Sequence, residues 1–176
     1  AGVMRGLEGR AEAVAGSFNA QDVANTLWAL CVVSPLCVAS EDARPWMHAA
    51  VNRLVALGDA ESFNTAQLCQ LHQFFVVCSV EGERCVVALD DVGALRDACR
   101  LAFVRSKTAP SASQQEVSET LRRRGLSVED EARCPKSGYS IDMLVHPSAP
   151  AVGGERSSGG GCWAVEFDGP SHFLAS

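Results

Sequence analysis

Phe18-Asn19-Ala20-Gln21-Asp22-Val23-Ala24-Asn25-Thr26-Leu27-Trp28-Ala29-Leu30-Cys31 is the stretch whose reading decides the fold. Val23, Thr26, Leu27, Leu30 and Cys31 recur at the spacing of one apolar stripe on a helix. Asn19 is the expected N-cap, and Asp22 lies in the first turn, where negative charge suits the helix dipole. Pro35 ends the pattern, because its ring fixes φ and removes a donor. The phrase then restarts at Phe63-Asn64. Aligned without gaps, Val23 falls on Leu68, Thr26 on Leu71 and Leu30 on Phe75, an offset of 45 residues. That period belongs to helical-pair repeats, in which each pair buries its stripe on a neighbour.

Working outward, a helix is expected over 42–57, with Pro45 tolerated in its first turn and Gly58 closing it. Trp46, Ala50, Val51, Leu54 and Leu57 form its stripe. A weaker helical pattern over 3–15 precedes the first phrase. Another over 87–104, carrying Leu89, Val92, Leu95, Cys99 and Phe103, follows the second. The expectation is an N-terminal α-solenoid over 1–110, with a boundary near Ser106 to Pro110.

Composition narrows the classes. With 47% hydrophobic and 20% charged residues among 176, the chain is an ordered globular one. No apolar run approaches the ~20 residues of a membrane helix, so no membrane partner is expected. A net charge of -6 argues against a broadly cationic nucleic-acid binder and leaves room for a local basic site. Before Ser111 there are nine basic and twelve acidic residues, and from there on six and nine, so charge does not separate the halves. The 8 cysteines include no CxxC pair and read as small core residues of a reducing compartment, with zinc or disulfides the minority alternative. The chain starts without methionine and reads as a piece of a longer protein, so a missing targeting peptide carries no information.

The second half begins with Ser113-Gln114-Gln115-Glu116, a capping-box pattern, followed by Val117 and Leu121 on one face. Arg122-Arg123-Arg124-Gly125 ends that helix. One reading is cations complementing a helix C-terminus with glycine behind it; the other is a phosphate contact. A first, edge-like strand over 126–133 is followed by a turn at Lys136-Ser137-Gly138. A better strand runs over 139–145, with Tyr139, Ile141, Met143 and Val145 on one face and Asp142 on the other. After a Gly/Ser/Pro-rich loop, Cys162-Trp163-Ala164-Val165-Glu166-Phe167-Asp168 reads as a short buried strand, and Gly169-Pro170 stops it. If residue 146 lies opposite 162, then Asp142 faces Glu166 with Cβ atoms ~5 Å apart, and Asp168 follows on the same face. Like charges that close raise a pKa or demand a cation: a divalent metal is one answer, Arg133, Lys136 or a neighbouring arginine another.

Two resemblances add to this reading. Ala24-Asn25-Thr26-Leu27-Trp28-Ala29-Leu30 resembles the signature of octotricopeptide repeats, which bind RNA in algal organelles. The likeness implies RNA contacts from Asn25 and Trp28. It is poor in the second copy, where Gln70-Leu71-His72-Gln73-Phe74-Phe75 stands instead. Ser140-Ile141-Asp142 together with Ala164-Val165-Glu166-Phe167-Asp168-Gly169-Pro170-Ser171-His172-Phe173 resembles the RAP domain over 111–176. RAP domains end organellar RNA-processing proteins and are similar to the restriction-endonuclease-like PD-(D/E)xK core. The likeness implies a partial α/β domain whose last strand and helix lie beyond Ser176. It makes Asp142 the motif aspartate and Glu166 the second metal ligand. Asp168 stands where those nucleases carry lysine, which counts against hydrolysis.

The resulting expectation is an α+β chain in two parts that binds organellar RNA, of chloroplast or mitochondrion, and assists its maturation, processing or stability. Other RNA-processing proteins are its expected partners. Asn25, Trp28, Arg122, Arg123, Arg124 and Lys136 are the candidate RNA-binding residues. The enzyme alternative is a Mg²⁺- or Mn²⁺-dependent ribonuclease, with Asp142 and Glu166 on the metal, Asp168 beside them and His172 as acid or base. A non-catalytic interaction scaffold is the third reading. His48 and His72 lie in helix patterns and read as structural.

Overall fold

The computed structural model describes residues 13–33, 44–81, 92–106, 110–146 and 161–167. The chain is mixed, with helices followed by a small three-stranded antiparallel sheet. It divides into two compact units, Ala1–Ser106 and Lys107–Ser176. The segments expected over 3–12 and 87–91, the Gly/Ser/Pro-rich loop at 147–160, Pro35, and the turn at Gly169-Pro170 lie outside the described residues.

In the first unit, α1 spans Ala20–Val33, α2 Arg44–Leu57, α3 Thr65–Glu81 and α4 Gly93–Arg105. Asn19 caps α1 reciprocally: its Oδ1 accepts the Asp22 N–H at 3.0 Å, and Asp22 Oδ2 accepts the Asn19 N–H at 3.0 Å. Asn64 does the same for α3, with 3.0 Å from the Gln67 N–H and 2.8 Å from its own N–H to Gln67 Oε1. Each box satisfies two donors that a helix start otherwise leaves unpaired. Phe18 and Phe63 stand just before these caps, and Val23 and Leu68 stand four residues after them, all in one core. These are the hydrophobic-staple positions that set how the chain enters a helix. Between the phrases, α2 closes on Gly58 at φ +77°, a left-handed turn that glycine adopts without strain. Val23, Leu27, Met47, Leu54, Leu71, Phe74 and Cys99 are wholly buried in the core that the four helices share. His72 is buried as well, its ring 4.6 Å from that of Phe103. Cys31, Cys78 and Cys99 are buried thiols; Cys69 and Cys134 are half-buried and Cys162 is exposed, so the core-residue reading holds for three of the six, Cys37 and Cys85 lying outside the described residues.

In the second unit, α5 spans Ala112–Arg123 and leads into β1 Ser127–Arg133, β2 Ser140–His146 and β3 Trp163–Val165, ordered β1-β2-β3. The capping box is Ser111 with Gln114, two residues before the expected pair of Ser113 and Glu116. Both pairs satisfy the motif, and the earlier one wins because buried Gln114 also donates to Glu131 Oε1 at 3.0 Å. At the other end the Gly125 N–H reaches the Arg122 carbonyl at 2.9 Å and the Leu126 N–H that of Leu121 at 3.2 Å. With Gly125 at φ +83° this is a Schellman stop, so the arginine run does close a helix. Met143 and Val145 are buried as expected, but Tyr139 is exposed at the turn. The expected burial of the last strand fails too. Trp163 is 56% exposed, because β3 is an outer strand paired only with β2 among the described residues.

Candidate functional site

Strand pairing builds the carboxylate site. Met143 lies opposite Val165, Leu144 opposite Ala164 and Val145 opposite Trp163. The same diagonal carries His146 to Cys162 and Asp142 to Glu166, which is the expected register. The ladder itself stops at Val165, and the chain then turns its backbone to the aspartate. Phe167 donates its N–H to Asp142 Oδ2 at 2.8 Å. Half-buried Asp142 therefore anchors the outgoing end of β3, while Glu166 is exposed. Asp168 and His172 lie outside the described residues.

A third carboxylate lies on this line and was missed from sequence. The β1–β2 register runs from Ser127 opposite His146 to Arg133 opposite Ser140, and the position opposite Asp142 is Glu131. Glu131 alone among the described non-glycine residues has positive φ, +52°. A strand normally turns consecutive side chains to opposite faces. Here both Asp130 and Glu131 serve α5: Asp130 accepts from the Ser118 hydroxyl at 2.6 Å and from Arg122, and Glu131 accepts from Gln114 and from the Ser140 hydroxyl. Burial opposes ionisation of Asp130, and the Ser118 hydroxyl with the Arg122 guanidinium outweighs it, so the carboxyl sits below its ordinary range. Pairing β1 onto β2 by the turn at 134–139 was the sequence signal that could have located Glu131.

No group of three or more His, Cys, Asp or Glu side chains that could hold a metal ion occurs among the described residues. Glu131 is committed to Gln114 and Ser140, and Asp142 also accepts the Phe167 amide. One half-buried and one exposed carboxylate are a sparse donor set, of the kind that suits Mg²⁺, which keeps several of its own waters.

The proposed RNA-facing residues are also largely engaged within the chain. Asn25 is exposed, and its Oδ1 accepts from Gln21 at 2.7 Å and from Gln70 at 3.1 Å. Half-buried Trp28 donates its indole N–H to Gln73 Oε1 at 2.7 Å. Gln67 in turn donates to Gln21 Oε1 at 2.9 Å. Asn25 with Gln70 and Trp28 with Gln73 are pairs 45 residues apart, so equivalent positions of the two phrases bond across α1 and α3. The glutamines of this seam went unread because amides carry no hydrophobic period. Arg122 bridges to Asp130 and to the Val128 carbonyl at 3.0 Å. Arg123 donates to Thr120 Oγ1 of its own helix at 3.2 Å, Arg124 is the exposed C-cap, and Lys136 is exposed in the β1–β2 turn. Comparison with known proteins finds no matching family model, no matching curated protein and no matching solved structure.

Proposed function

We propose that this chain is a part of an RNA-binding protein: a helical-repeat scaffold followed by a RAP-like, endonuclease-derived domain, acting on organellar transcripts. The observation that carries the reading is the 45-residue offset, met first in the sequence and again in the Asn25–Gln70 and Trp28–Gln73 hydrogen bonds. Stacked copies of one unit bring equivalent positions together, and these bonds fit that arrangement. Support for the second half is the order of one helix and three antiparallel strands, which precedes the Asp-Gly-Pro-Ser-His phrase in the sequence. Arg123, Arg124 and Lys136 are the cations for phosphate contact, since Arg122 serves Asp130. Anisotropy of labelled single-stranded RNA tests the proposal. Binding at low salt that weakens as salt rises, and weakens further in Arg123→Ala/Arg124→Ala, is expected. No affinity at low salt overturns it in favour of the interaction scaffold.

The register favours a second reading, a ribonuclease in which Asp142 and Glu166 would hold Mg²⁺ or Mn²⁺ and the ion would supply an activated water. Cleavage of labelled RNA that requires Mg²⁺ and is lost in Glu166→Ala establishes it. Binding without cleavage leaves the first reading. Glu166 makes the cleaner variant, because Asp142 also holds the Phe167 amide.

A further inference from the structure

We draw no further inference here: the strongest candidate, the Cys134 thiol in the turn between β1 and β2, is a single cysteine whose hydrogen-bond donors, Lys136 and Ser137, belong to its own turn, and nothing among the described residues marks a ligand beside it.

Discussion

Glu131 has a left-handed backbone in the middle of an edge strand, which costs a non-glycine residue about 1–2 kcal/mol. Its carboxylate offsets that cost through Gln114 and Ser140. Glu131→Ala keeps the strain and loses both bonds, whereas Glu131→Gly loses the bonds and relieves the strain. Urea unfolding should therefore find the glycine variant more stable than the alanine one by about 1 kcal/mol. Equal stabilities would refute the role given to the backbone. Asp130 beside it makes an acid-sensitive contact. Its folded pKa is depressed, so its contribution is present above the unfolded value of about 3.9 and fades as pH falls through the folded one. Asp130→Asn should flatten the loss of stability below about pH 4, and an unchanged slope would count against it. The exposed Arg122 partner limits the effect to about 1 kcal/mol at most. The thiols divide in the same way. Hydrogen bonds from Ser137 and Lys136 bring Cys134 down to about 7, while burial pushes Cys99 up to about 12. Iodoacetamide labelling of the native chain, read by peptide mass, should rise at Cys134 through pH 7 and leave Cys99 unmodified.

Among the elements, α1 and α3 show how much a cap can announce. Asn19 was legible as an N-cap because capping is a local arrangement, whereas the reciprocal bonds of Asp22 and of Gln67 with Asn64 came from the structure. Asn64→Ala should cost about 1 kcal/mol by thermal or urea unfolding. The seam between those helices was not legible, since it joins residues 45 apart. Trp28→Phe leaves the Gln73 oxygen without its donor and should destabilise by about 1–3 kcal/mol. Adding Gln73→Leu should recover part of that loss, and strictly additive losses would show that the bond is not coupled. α5 misled for a different reason. Val117 and Leu121 were the expected inner face and are half-buried. Gln114 and Ser118, which look like surface residues, are buried because β1 offers them Glu131 and Asp130. Polar residues enter a core only with partners, and partners in another element leave no mark on the helix itself.

At the scale of the whole molecule, both units are mildly acidic, so any RNA contact has to come from local cations and amides rather than from an overall field. The sequence by itself determined the succession of helices and then strands, the N-cap of α1 and the glycine stops at Gly58 and Gly125, and it offered the diagonal of Asp142 with Glu166 on an assumed register. These features depend on neighbours within a turn or on counting from a loop. Only the tertiary structure decided what these side chains hold. Asp130 and Glu131 are bound to α5, Asp142 holds the Phe167 amide, and Trp28 is bound to Gln73. A side chain's chemistry follows from its type, but its availability follows from which donors the fold brings within about 3 Å of it.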